Sequence, residues 1–278
     1  MIRHMSHTPH RLAAGAAVAL AAALSGCLAS TQQEVELGQQ YAAQINQQLP
    51  LVTDAEVVRY INVLGDSIAS VGDDRNLDWH FYVVDSPEIN AFAVPGGYIY
   101  VNRGLIEAAQ NMSQLAGVLG HEIGHVEKRH SMQQMRDMER ANMGVGLLCV
   151  LTSVCESQVA ATAINVGGSA VFAKFSRADE SEADAVGVQN VVRAGIDPRG
   201  IPGMFRILLN MRKQGPGAVD AWFATHPLEE DRIAATEAMI ARIDPAIIRS
   251  LTSDSQGFRS FKARLRALPP SPKPKTSK

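Results

Sequence analysis

The segment Leu115–His130, LAGVLGHEIGHVEKRH, constrains this chain more than any other. It contains His121-Glu122-Ile123-Gly124-His125, an H-E-x-x-H pattern. On a helix, residues four apart project from one face, only about 40° out of line. Two imidazoles so placed can hold one zinc ion. Glu122 then lies beside the metal, where a carboxylate can take a proton from an activated water. Leu115, Val118, Leu119 and Val126 form an adjoining apolar stripe. That stripe predicts a helix packed into a core, with its histidine edge facing a cleft. With 8 His in 278 residues, the pattern arises by chance in roughly one such chain in a hundred. A third ligand and a suitable compartment are therefore required.

The compartment is written in the N-terminus. Arg3 and Arg11 give a positive start, and 12–24 is an apolar, Ala-rich run too short to span a bilayer. Leu24-Ser25-Gly26-Cys27 follows. It resembles a bacterial lipobox, with cleavage before Cys27 and a lipidated thiol, so 1–26 is expected to be a signal peptide. An ordinary secretory signal cut near Gly26 or Ala29 is the alternative. Lipid chains anchor through their buried CH₂ groups, so the chain would be tethered to the membrane at Cys27 through 27–33. Leu28 follows the cysteine, and no Asp stands there. By resemblance to enterobacterial lipoproteins, that favours the periplasmic face of the outer membrane. Outside the cytoplasm thiols oxidise, and a Cys149–Cys155 disulfide is expected rather than two buried thiols.

The rest of the chain is 46% hydrophobic and 19% charged, with a net charge of -2. This is a globular balance, and without a basic excess no nucleic-acid partner is expected. Periodicity predicts helices over 34–49, burying Leu37, Tyr41, Ile45 and Leu49, and over 54–71, burying Val57, Val58, Ile61, Leu64 and Ile68. Leu77, Trp79, Phe81 and Val83 alternate with polar neighbours, as in a half-buried strand. Residues 88–94 and 98–101 read as further extended segments, and 104–109 as a short helix. Ser113 is the expected N-cap of the H-E-x-x-H helix. The stretch 143–175 is mostly apolar and reads as two core or cleft-covering helices. Helices are expected over 177–194, 199–214 and 228–243, with 222–227 as a loop and one or two helices in 244–268. The tail 269–278 is rich in Pro, Lys and Ser and is expected to be disordered. Strands followed by the H-E-x-x-H helix make the fold α+β, predominantly helical, in one domain over 34–268.

The densest source of a third ligand is Ser176–Asp184. Glu180 and Asp184 are four apart and share a helix face, whereas Glu182 is turned about 160° from Asp184. One carboxylate on the metal, with a second holding a ligand imidazole's N–H, is sound metal-site chemistry. Taken alone, the segment reads more readily as a solvated acidic helix start favoured by the helix dipole.

Four segments carry a resemblance: Asn90-Ala91-Phe92-Ala93-Val94-Pro95-Gly96-Gly97, His121–Val126, Ser176-Arg177 with Glu180, Ala183 and Asp184, and His226-Pro227 with Arg232. In that order they resemble the zinc metallopeptidase family containing HtpX, BepA and the CAAX prenyl proteases. The resemblance implies a zincin-type fold with a small three- to four-stranded sheet beside the H-E-x-x-H helix. It implies one Zn²⁺ on His121, His125 and Glu180, with Asp184 orienting. The chain is most similar to the periplasmic lipoprotein or soluble members. Unlike HtpX it shows no transmembrane helices, and unlike BepA no helical repeat domain after the peptidase unit.

The chemistry expected is peptide hydrolysis with Glu122 as base and His226 and Arg232 as donors to the oxyanion. The resemblance to BepA gives His226 a second role, occupying the fourth zinc position to keep the enzyme latent. Asn90, Ala91, Phe92 and Ala93 are expected to pair with an extended substrate as an added strand. That suits unfolded or misassembled envelope proteins as clients. The alternative is an outer-membrane assembly lipoprotein with little proteolysis, in contact with the assembly machinery. His130 reads as a structural hydrogen-bonding residue, because on a straight helix it lies about 180° from His121.

Overall fold

The computed structural model describes residues 29–140, 174–215, 217, 219–227 and 230–271. Cys27, Cys149 and Cys155, most of the apolar stretch 143–175, and the tail beyond 271 lie outside the described residues. Helix α1 (Thr31–Gln48) begins at Ser30, whose hydroxyl accepts from the Gln33 N–H while the Gln33 side chain accepts from the Ser30 N–H. This capping box draws 31–33, expected as tether, into the first helical turn. The fully buried positions of α1 are Glu34, Gly38 and Ala42, and the expected Tyr41, Ile45 and Leu49 pack half-buried against the same core. Gly38 rests on the Pro95 carbonyl, where a Cβ would come within 1.9 Å of the oxygen. In α2 (Ala55–Ala69), capped by Asp54, the predicted Val57, Ile61, Leu64 and Ile68 are buried. Val58, expected inside, is 37% exposed.

The sheet has three strands, β1 (His80–Val84), β2 (Ala91–Val94) and β3 (Tyr98–Asn102), in the order β1-β3-β2. β3 runs parallel to β1 and antiparallel to β2. Alternation splits its side chains between two cores. Phe81, Val83, Ala91, Ala93, Ile99 and Val101 join the main core, while Val84, Val94, Tyr98 and Tyr100 pack with Ala42 of α1 on the other face. β3 is buried at every position because it is the central strand between two layers. β2 lies at the sheet edge and packs against the H-E-x-x-H helix.

Helix α3 (Arg103–Ala108) leads into α4 (Met112–Glu127), the helix of the histidine pattern. Asn111, and not Ser113, caps α4: Asn111 Oδ1 accepts from the Gln114 N–H and from Ser113 Oγ. Every residue from Met112 to Val126 is buried, so α4 is the central rod of the domain rather than an amphipathic surface helix. It stops at Lys128, and Arg129 takes a left-handed φ of 59° before helical turns resume at 130. A buried Glu34 holds this turn. Its Oε2 lies 2.9 Å from Arg75 Nη1 and 2.7 Å from Arg129 Nε, the latter an ion pair without hydrogen-bond alignment. Arg75 also donates to the Val126 carbonyl at 2.8 Å, on the last turn of α4.

Helices α5 (Arg177–Arg193), α6 (Gly200–Lys213), α7 (Asp220–Thr225), α8 (Glu230–Ile240), α9 (Pro245–Ser250) and α10 (Gln256–Ala267) complete the described fold. The segment 222–227, expected as a loop, is helical to Thr225 and turns extended at His226. Pro269 and Ser271 of the expected disordered tail are tied down. The Pro269 carbonyl accepts from Arg103 at 2.7 Å, and Ser271 Oγ donates to Asp85 at 2.7 Å. Among the described residues no helix is long and apolar enough to cross a membrane.

Candidate metal centre

The centre forms where α4 and α5 cross. Gly120 and Gly124 of α4 face Gly187 and Ala183 of α5, and an added Cβ on Gly124 would stand 2.8 Å from the Ala183 carbonyl oxygen. Only glycine permits this close backbone approach. It brings the carboxylates at the start of α5 onto the histidines of α4. Ser176 caps α5 and pairs reciprocally with Asp179, which sets the first turn carrying Glu180.

His121, His125, Glu180 and His226 converge, with one donor atom from each lying within 4.8 Å of all the others. His125 Nε2 is 3.1 Å from His121 Nε2 and 3.4 Å from Glu180 Oε1. His226 Nδ1 is 3.0 Å from Glu180 Oε1 and 3.3 Å from His121 Nε2. Three imidazoles and one carboxylate, all buried, are a donor set that suits four-coordinate zinc. The protonation tendencies fit as well. Burial holds His125 well below the ordinary imidazole value, so it stays neutral, as a ligand must. Burial would raise Glu180, but His226, His125 and His121 outweigh it and keep the carboxyl ionised. His226 behaves differently. Burial would lower it, but the Glu122 and Glu180 carboxylates prevail and raise it.

Glu122 is fully buried beside this cluster, and neither of its oxygens has a hydrogen-bond partner. His226 Nε2 stands 3.5 Å from Glu122 Oε1. Burial raises its pKa above the usual carboxylate value, only partly offset by His226 and His121. A buried carboxylate left without partners is costly and points to a reacting group rather than a structural one.

Behind the ligands lies a second layer. Asp184 Oδ1 meets His121 Nδ1 at 2.9 Å, the orienting contact read from the helical spacing. Arg232, named with His226 as an oxyanion donor, turns its guanidinium to the second layer instead. Nε and Nη2 donate to Asp184 at 2.9 and 2.7 Å, and Nη1 to Glu180 and the Pro227 carbonyl. The guanidinium also lies over the Phe205 ring, 4.7 Å from its centroid. Burial would raise Asp184, but the His121 and Arg232 contacts overcome this and keep the carboxyl ionised.

Two aromatic residues of the site escaped sequence reasoning. Phe175 stacks on His125 at 3.9 Å, and Trp222 on His226 at 4.6 Å. His130 Nδ1 stands 2.9 Å from His125 Nδ1, because the break at Arg129 swings it back where a straight helix would carry it away. Glu182, off the Asp184 face as expected, meets His130 at 3.3 Å. No glycine, asparagine or proline at 128–129 signals that break. Of the expected Asn90–Ala93, Ala91–Ala93 lie in the edge strand β2 beside α4, and Asn90 Oδ1 is buried without a partner.

Residues 53–240 match the sequence pattern of Peptidase family M48. The chain is 32% identical over 246 residues to the beta-barrel assembly-enhancing protease of Escherichia coli K12, covering 86% of this chain and 50% of that protein. For its namesake in Yersinia pestis the identity is 29% over 247 residues, covering 87% and 50%. The mitochondrial metalloendopeptidase OMA1 of Danio rerio is 29% identical over 191 residues, covering 66% and 40%. The chain thus spans about half the length of the bacterial relatives it matches. The matched region contains the edge strand, the histidine helix, the crossing helix with Glu180 and the segment with His226 and Arg232, so that the chain belongs to peptidase family M48, whose metallopeptidases use zinc.

Proposed function

We propose that this chain is a zinc-dependent endopeptidase of the bacterial cell envelope that hydrolyses misfolded or unassembled polypeptides. The observation that carries this reading is Glu122, a buried carboxylate without hydrogen-bond partners beside a buried His/His/Glu donor set. A purely structural metal site has no use for such a group. His121, His125 and Glu180 hold the zinc. When bound, it supplies Lewis acidity towards water and the scissile carbonyl. Glu122, its proton affinity raised by burial, takes a proton from the attacking water and hands it to the leaving amine. Asp184 and Arg232 position His121 and Glu180. His226 fills the space between Glu122 and Glu180 and keeps the resting site closed. With its loop withdrawn, the same imidazole is free to donate to the oxyanion. Asn90–Ala93, at the sheet edge, pairs with the backbone of an extended substrate, which reads shape more than sequence.

The names of the bacterial relatives support an envelope location and clients related to β-barrel assembly. A lipid anchor on Cys27 would hold the enzyme at the membrane. The word "assembly-enhancing" in those names also favours a second reading, an assembly factor that binds precursors with little cleavage. Glu122→Gln separates the two. In the peptidase reading the variant keeps its zinc, loses cleavage of unfolded clients and traps them in the periplasm. Full cellular function in that variant sinks proteolysis as the main role.

A further inference from the structure

The two histidines of α4 are oriented in different ways. His121 leans directly on a carboxylate, Asp184. At its Nδ1, His125 leans on another imidazole, and on that side the carboxylates are met by the second ring. His130 Nε2 is 3.3 Å from Glu182 Oε2 and 3.8 Å from Asp179 Oδ1. His130 is itself buried, while the Glu182 side chain is 59% exposed. We infer that His130 and Glu182 form a positioning relay that fixes the tautomer of His125, and so the nitrogen that His125 offers to the metal. The inference rests on reading His121, His125 and Glu180 as the metal ligands.

Proton counting carries the argument. The Nδ1···Nδ1 contact of 2.9 Å between His125 and His130 has room for one proton. His125 Nε2 faces the donor cluster, 3.1 Å from His121 Nε2 and 3.4 Å from Glu180 Oε1. To present a lone pair there, His125 must carry its proton on Nδ1. That N–H then donates to His130 Nδ1, which must be bare. The proton of His130 therefore sits on Nε2, where it donates to Glu182. The reverse arrangement sets the bare Nε2 of His130 against a carboxylate and puts an N–H of His125 among the metal donors. Both changes are repulsive, so the carboxylate at the protein surface selects the tautomer two rings away.

The backbone is shaped for this contact. Arg129 adopts a left-handed φ of 59°, which non-glycine residues rarely take. Its ion pair with buried Glu34 helps to hold it there.

The test is zinc affinity of the full chain, stripped and titrated against a chromogenic chelator, with no activity measured. His130→Leu removes the acceptor, and zinc is expected to bind about 10–100-fold more weakly. His130→Asn restores an acceptor at the position of the imidazole Nδ1 and should return affinity to within about threefold of the parent. Glu182→Ala, at the surface, should weaken binding by about three- to tenfold. Equal losses in the leucine and asparagine variants would make His130 a packing residue and overturn the relay. So would parental affinity in His130→Leu or in Glu182→Ala, and the latter decides alone if His130→Leu does not fold. A parent chain that bound no zinc would overturn both this relay and the metal reading beneath it.

Discussion

Gly124→Ala tests the helix crossing on which the metal centre depends. In most helices the change stabilises, since glycine in a helix interior is worse than alanine by about 0.5–1 kcal/mol. Here the new Cβ would stand 2.8, 3.0 and 3.3 Å from the carbonyl oxygen, Cα and carbonyl carbon of Ala183. These are backbone atoms, so no rotamer change relieves the clash. Carbon contacts prefer about 3.5–4.0 Å, which asks α5 to retreat by roughly half an ångström or more. Overpacking of this kind costs about 1–3 kcal/mol, so a net loss of about 1 kcal/mol remains after the propensity gain. In a domain of this size that lowers Tm by roughly 2–4 °C.

The effect on the site is larger. Metal–ligand distances tolerate only about 0.2 Å, and Glu180 and Asp184 ride on the displaced helix, so zinc should bind at least about tenfold more weakly. Gly203→Ala is the control. Its Cβ would meet only the flexible end of Gln114, at 3.3 Å, and the variant should gain about 0.5–1 kcal/mol with unchanged zinc affinity. Thermal unfolding of the metal-free chains and a zinc titration measure both quantities. If Gly124→Ala is as stable as Gly203→Ala and binds zinc like the parent, the close-crossing argument is wrong.

Removing zinc with a chelator should lower stability, and restoring it to about 100 times its dissociation constant should return about 2.7 kcal/mol, read from denaturant midpoints. Glu34→Leu leaves the Arg75 and Arg129 guanidinium groups facing a buried site without their shared carboxylate. A loss of about 3 kcal/mol in urea unfolding is expected, and a loss below about 1 kcal/mol would show that the pair is not coupled to folding. Arg264 donates to Asp54 at 2.9 and 2.7 Å and, with the Val57 N–H, holds its carboxyl below the ordinary value. A depressed carboxyl stabilises the fold at neutral pH, and the contribution disappears as pH falls through its folded pKa. The Tm difference between the parent and Arg264→Met should therefore be present above about pH 4 and close below it. A difference that persists at lower pH would refute the assignment.

The parts of the site legible in the sequence were those set by helical spacing. His121 with His125, and Glu180 with Asp184, each follow from an i, i+4 relation, and both helices are present. Alternation over 77–83 likewise identified β1, which begins only at His80, and its inward Phe81 and Val83. Backbone proximity was harder to see. Gly124 occupies a variable position of the histidine pattern, and its value lies in what crosses it, 59 positions further on. The reset at Arg129 depends on Glu34, a residue far away in sequence, so no local signal marks it. On α1 the periodicity found Tyr41, Ile45 and Leu49, which pack against the second core, but not Gly38, whose place is set by contact with Pro95. Arg232 was recognised as a site residue, yet only the packed structure directs its guanidinium to two carboxylates.

The spacing of the donors along the chain also governs when the centre can exist. His121 is 63 residues from Asp184 and 105 from His226. Closing loops of that length costs entropy that is recovered only when the surrounding core packs, so such long-range contacts complete late in folding. An unfolded chain carries no more than a histidine pair on a fluctuating helix. Its Glu180 and Arg232 are then scattered along the coil. Synthesis of this chain therefore passes without an assembled centre, and the metal site comes into being together with the finished fold.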